Sequence, residues 1–417
     1  MNSATRTATK FSFVLPTSFD PGEFLTSPGL RDRFDDARYV VSLILTKLAR
    51  KDVDEFGLVR LMAKYLRSVM RKSTCAAVLD ALRNGGAIER YPYAVGKQAF
   101  GYRLAQRFVA DKHVRLPATN ARLIRRLEQF HQKTVSERES RMQPVHRELA
   151  RRQEWLEIDG DSARRILDNL PSKCNPFDVQ GVQIGNIENH EFHSNVGKYG
   201  RLSNNITNLK REIRPCLRAN GERLVSIDLS CAQPALVVKV MNKGRETQRN
   251  TEEEGRQQGR IKSKGKYDGH FGIDFALYNC LVQSGTFYDF MIDQLVDHGI
   301  SRDMFKRRFL QDVIAKKGQY PSVVTNSFCN LFPSVHRFIR DINKSDHATL
   351  IRQLQQAESE FIIGTVANDF MSRFPTQFVI SLHDALYTTP HNLPALEQSF
   401  HRAFKQIGFR MRLKIDA

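Results

Sequence analysis

The chain has no paired-cysteine framework. Its six cysteines (Cys75, Cys174, Cys216, Cys231, Cys280 and Cys329) are scattered over 417 residues, with no C-x-x-C and no close Cys/His cluster. That spacing argues against a disulfide scaffold or a structural zinc site and fits a reducing interior. No run approaches the roughly 18 apolar residues that span a bilayer. The N-terminal MNSATRTATKFSFVLPTSF lacks the apolar stretch of a secretory signal. A cytoplasmic protein with no membrane association is therefore expected. Acidic residues are outnumbered, with 45 Asp and Glu against 64 Lys and Arg, and the formal net charge is +19. A field of that sign draws polyanions, which makes nucleic acid the leading partner.

What is present suggests two or three domains, since hydrophobic residues make up 41% of a long chain. Residues 1–35 are rich in Ser, Thr, Pro and Gly and read as a flexible arm. Three helical patterns follow over 36–107: ARYVVSLILTKLARK, EFGLVRLMAKYLRSVM and STCAAVLDALRNGG, the last with Ser73 as its N-cap. A strand pair, AIERYPYAVGKQAFGYRLA, completes the outline of a winged helix. Lys72 would begin its recognition-type helix and Lys97 would sit at the wing tip. A small packing domain without groove contact has the same pattern. Residues 108–190 are helical and heavily charged, as in a solvated or duplex-gripping helical hairpin. Asn242 to Gly269 is almost wholly polar and reads as a mobile insertion in an otherwise globular region, 191–417.

Within that last region, two apolar, β-prone runs each deliver one aspartate: Val225-Ser-Ile-Asp228 and Val379-Ile-Ser-Leu-His-Asp384. A carboxylate at the end of a buried strand is costly unless something positive meets it. Two brought side by side repel unless divalent metal lies between them, which is the requirement of two-metal phosphoryl transfer. Either aspartate alone is more often a strand-end turn residue; the pair reverses that balance.

The surrounding motifs carry a resemblance. Gly200-Arg201-Leu202-Ser203 followed by Asn208-Leu209 and Arg214, then Asp228-Leu-Ser-Cys-Ala-Gln233, Arg302-x-x-x-Lys306 and His383-Asp384 occur in that order. Together they resemble the palm and fingers of family A DNA polymerases, which are related to single-subunit phage-type RNA polymerases. Each motif alone is weak; order and spacing carry the likeness. The resemblance implies an α+β right-hand fold: an antiparallel palm sheet, helical fingers around 270–345 and a reduced thumb in 108–190. It also implies that Asp228, Asp384 and the carbonyl of Leu229 hold two Mg²⁺ ions, with Mn²⁺ as a substitute. Gln233, Arg302, Lys306 and Leu310 would meet the incoming nucleoside triphosphate. Arg201, Asn208, Arg214 and His383 would meet primer and template. For Arg302 and Lys306 a solvated basic helix face is the plainer reading, and for Arg201 a surface charge.

The sequence departs from that family in four places. Gln233 stands where DNA-making members carry the Glu that helps exclude a ribose 2′-hydroxyl. Leu310 and Ile314 replace fingers aromatics, and Ala315 a glycine. Ala385 replaces the Glu after the second aspartate, and too little chain precedes the region for a proofreading exonuclease. The expectation is thus a template-directed nucleotidyltransferase of the kind found on mobile elements, with an RNA polymerase or primase, or an inactive nucleic-acid-binding relative, as the alternatives. Nothing in the sequence specifies an oligomer, and a monomer or an oligomer of unspecified order is expected.

Overall fold

A computed structural model describes residues 11–92, 99–171, 175–242, 272–295 and 299–416. It is a mixed α+β chain with small antiparallel sheets, divided into two compact units. One comprises 1–143, 153–195 and 204–223; the other comprises 144–152, 196–203 and 224–417. The charged helical region is shared between the two units. Its helix Pro144–Arg152 belongs to the second unit, whereas Ala121–Ser140 and Gly160–Asp168 belong to the first.

In the first unit, helix Phe34–Ala49 buries Val40, Val41, Ile44 and Leu45 on one stripe. Asp35 and Asp36 in its first turn complement the helix dipole. Helices Ala63–Val69 and Lys72–Asn84 follow, with a three-stranded antiparallel sheet ordered Val59–Arg60, Gly101–Leu104, Ile88–Tyr91. Three details differ from the sequence reading. The second helix is only half the expected length, because Asp54 accepts from the N–H groups of Phe56 and Leu58 (both 2.9 Å) and Gly57 takes φ +72°. That turn ends in a strand instead. Ser73 is not the cap of the third helix, which begins at Lys72 with Arg71 in the cap position and no capping side chain. The supposed arm is ordered from Phe11 on: Ser12–Pro16 pairs with His113–Pro117 and buries Phe13, Val14 and Leu15. Its small polar residues concealed a short continuous apolar run. The wing-tip residue Lys97 and nearly all of the polar insertion lie outside the described residues.

The second unit is built on a four-stranded antiparallel sheet ordered Ile380–Leu382, Ala385–Thr388, Val225–Leu229, Leu413–Asp416. Helices from 232 to 242, Ile273–Ser284, Phe287–Asp293, Arg302–Arg308, Val323–Leu331 and Pro333–Ile342 surround an aromatic core of Tyr278, Phe287, Phe309, Phe328 and Phe332. A six-residue π-helical stretch, Phe309–Ile314, continues directly from Arg302–Arg308.

One buried cation ties helix Pro144–Arg152 to the chain entering the sheet. Arg152, 2% exposed, donates to the carbonyls of Pro375 (2.9 Å), Gln377 and Phe374, and pairs with Glu148 at 3.1 Å. Replacing it strands several buried acceptors, each costing about 1–3 kcal/mol. Arg152→Met should therefore lower unfolding stability by about 2–4 kcal/mol, read as a reduced urea midpoint with unchanged slope.

Candidate active site

The two aspartates meet because of sheet register. Asp228 is the penultimate residue of strand Val225–Leu229 and lies opposite Ala385 on one side and Lys414 on the other. Leu382 pairs with Ala385, so His383 and Asp384 form a two-residue hairpin turn beside Asp228. Such turns need positive φ at a central residue, where glycine is usual. Here His383 takes φ 55°. Cys231, three residues beyond Asp228, is also left-handed at φ 55°, with its Sγ 3.4 Å from the Gly285 carbonyl. Non-glycine residues in this region cost free energy, and such strain clusters at functional sites.

The electrostatics follow from that register. Burial, then the Asp384 charge, hold the Asp228 carboxyl well above the usual carboxylate range. The Leu229 N–H, donating at 2.8 Å, and the Lys414 ammonium oppose the shift. Glu358 is a third carboxylate in this neighbourhood. It is 2% exposed, and its carboxyl is pushed up to about 7, mainly by burial, with Arg201 opposing and the Asp384 charge adding to the rise. Both Arg201 and the Gln233 side-chain amide donate to Glu358, one to each oxygen. Gly200 fixes the approach of Arg201: its φ is +82°, and a Cβ there would lie 3.0 Å from the Ser359 hydroxyl.

The basic helix contributes from the other side. Arg302 pairs with Asp289 at 2.7 Å. The guanidinium of Arg302 and the ammonium of Lys306 lie over the Tyr288 ring, at 5.6 and 5.3 Å from its centroid. Burial raises the Tyr288 phenol well above its ordinary value; the nearby Cys231 and Asp384 add to this, and Arg302 opposes it. Asp384 therefore acts on both Tyr288 and Glu358, which places Asp228, Gln233, Arg201, Arg302 and Lys306 around one centre.

Other residues singled out from sequence are used differently. Leu310 is half-buried against the core, and Ile314 is wholly buried, within packing rather than on a surface. Asn208 and Arg214 lie in the first unit, where Asn208 donates to the Arg50 carbonyl at 2.7 Å and Arg214 to the Leu209 carbonyl at 3.2 Å. Lys72 is exposed in the first turn of its helix.

Sequence reasoning missed Glu358, Lys414 and Tyr288. Glu358 carried one usable signal. It follows Leu350 and Leu354 at steps of four, all three buried, so a carboxylate occupies the next position of an apolar stripe. No protein-family model matches the chain, and no curated protein matches it either.

Among the described residues no group of three His, Cys, Asp or Glu side chains is placed to hold a metal ion. The donor set nonetheless fits Mg²⁺, which commonly takes one or two carboxylates and completes its shell with water and substrate phosphate. Asp228 and Asp384, with the Leu229 carbonyl, would be the protein's share. The stability consequence has a definite sign. Asp228, with its pKa raised on folding, stabilises the fold while protonated, and that contribution is lost as pH rises from the carboxylate range toward neutrality. Asp384→Asn should thus raise stability at pH 8 in EDTA by about 1–2 kcal/mol. The same variant should lose the Mg²⁺-induced rise in Tm that the parent shows, as measured by thermal melts with and without Mg²⁺.

Proposed function

We propose that the second unit is the palm and fingers of a template-directed nucleotidyltransferase, adding nucleotides to a 3′-hydroxyl. The observation that carries this reading is the sheet register that brings Asp228 and Asp384 together, with the basic pair Arg302 and Lys306 grouped over Tyr288 beside them. Two carboxylates facing a polyanion serve no purpose in a protein that only binds nucleic acid. They suit phosphoryl transfer with divalent metal.

In this reading Asp228 and Asp384 orient the attacking hydroxyl and the reacting phosphate, and the raised proton affinity of Asp228 is relieved on metal binding. Mg²⁺, when bound, supplies charge neutralisation and lowers the pKa of the attacking hydroxyl. Arg302 and Lys306, four residues apart on one helix face, hold the triphosphate. Their present partner, Tyr288, gives up no ion pair when phosphate arrives, whereas Arg302 exchanges Asp289 for it. Arg201, braced by Glu358, and the strained His383 meet the primer end. The first unit, with three helices and a three-stranded sheet in winged-helix order, recruits or orients nucleic acid. The purified protein should extend a primed template with Mg²⁺, and Asp228→Ala or Asp384→Ala should reduce extension by at least about 10³-fold. Failure to incorporate any dNTP or NTP, primed or unprimed, would refute the reading.

One observation favours the ribonucleotide form of this activity. Glu358 accepts from the Gln233 Nε2, which leaves Gln233 Oε1 as a buried acceptor without a partner. A fixed acceptor at the sugar-facing position of the resemblance rewards a hydroxyl donor, and an unmet one costs about 1–3 kcal/mol. The protein should therefore prefer NTPs over dNTPs. Glu358→Ala, by freeing the amide to rotate, should narrow that preference about tenfold while extension persists. Parallel single-nucleotide incorporation assays measure both ratios.

A further inference from the structure

A second concentration of unneutralised cations lies wholly within the first unit, remote in sequence from the aspartate pair. Helices Phe34–Ala49, Lys72–Asn84 and Ala121–Ser140 all begin around one cavity of about 40 Å³. Its wall includes Arg33, Asp36, Arg71, Thr74, Arg122 and Arg126. Four guanidinium groups thus face one carboxylate. That carboxylate, Asp36, is 5% exposed, and burial holds it above the usual carboxylate range, with Arg33 and Arg126 opposing and Asp35 adding to the rise. Asp35 is itself engaged by the N–H groups of Thr119 (2.6 Å) and Asn120 (2.7 Å) and by Arg38 (3.1 Å). Arg126 also donates to the Val69 carbonyl at 3.3 Å. Arg71 and Arg122 are left: both are exposed, and neither guanidinium has an ion-pair or hydrogen-bond partner among the described residues.

We propose that this cavity is a binding site for a phosphate oxyanion. Four like charges drawn from three helix starts repel one another unless an anion joins them. Guanidinium is the group best matched to phosphate, through paired parallel N–H donors. Thr74 adds a hydroxyl, and the N-termini of two of the three helices, Phe34–Ala49 and Lys72–Asn84, carry no side-chain cap, so their first N–H groups add positive potential. The cavity admits a group of a few atoms and is too small for a base or sugar. The phosphate is therefore presented from outside, as a backbone phosphodiester or as a free phosphate. The strong positive charge of the chain favours the phosphodiester. This site does not depend on the nucleotidyl-transfer reading, because it shares no residue with that centre.

The test uses the full-length protein and the variant Arg71→Ala/Arg122→Ala, whose exposed side chains leave the core untouched. Binding of an oligonucleotide without terminal phosphates is followed by fluorescence anisotropy over a salt series, and binding of inorganic phosphate by calorimetry. The double variant should weaken oligonucleotide binding about tenfold and reduce the slope of log K against log salt by about one, with inorganic phosphate competing in the parent protein. Loss of inorganic phosphate binding alone would support the site and identify free phosphate as its source. Unchanged binding of both probes would overturn the site. An equal loss in Arg125→Ala/Arg141→Ala, two exposed arginines outside the cavity, would overturn it too, since net charge alone would then explain the effect.

Discussion

The second unit depends on one electrostatic constraint: two carboxylates held beside each other by strand pairing. Neither Asp228 nor Asp384 can move away without shifting the register of the central sheet, because Asp228 pairs with Ala385 and Asp384 closes the hairpin that presents it. Burial and mutual repulsion make the arrangement unfavourable on its own, as the raised proton affinity of Asp228 records. Folding nevertheless enforces it, with left-handed backbone at His383 and Cys231 on either flank. Strain and perturbed carboxylates cluster at functional sites, and here both fall in one place.

The rest of the centre reads as a set of braces around that pair. Glu358 fixes Arg201 and Gln233 through one carboxylate, so the two side chains share a support. Tyr288 gives Arg302 and Lys306 an aromatic resting place, and Arg302 adds an exposed ion pair with Asp289 that a polyanion can replace. Arg152 locks the chain leading into the hairpin strand from behind. The first unit contributes a separate arginine-lined cavity.

The aspartate pair was legible in the sequence because strand-end carboxylates after apolar runs are rare and their chemistry is restrictive. The helix face shared by Arg302 and Lys306 was legible for a similar reason, as fixed spacing within one element. What sequence could not show were partnerships between distant segments. Glu358 looks like any polar residue of TLIRQLQQAES until packing turns it inward. Asn208 matches a motif yet spends its amide on the Arg50 carbonyl. The ordered strand Ser12–Pro16 was hidden by its small polar surroundings and needed its partner His113–Pro117 to be seen. The shortened second helix was misread because its apolar spacing satisfies both helix and strand, and only the Asp54 turn decides between them.

The most direct test of the account is calorimetric titration of a non-hydrolysable nucleoside triphosphate into the protein with Mg²⁺, in EDTA, and into Asp384→Ala. The account predicts binding that requires Mg²⁺ and is lost in the variant, since the two aspartates and the triphosphate must share the ion. Binding of equal strength under all three conditions would contradict it.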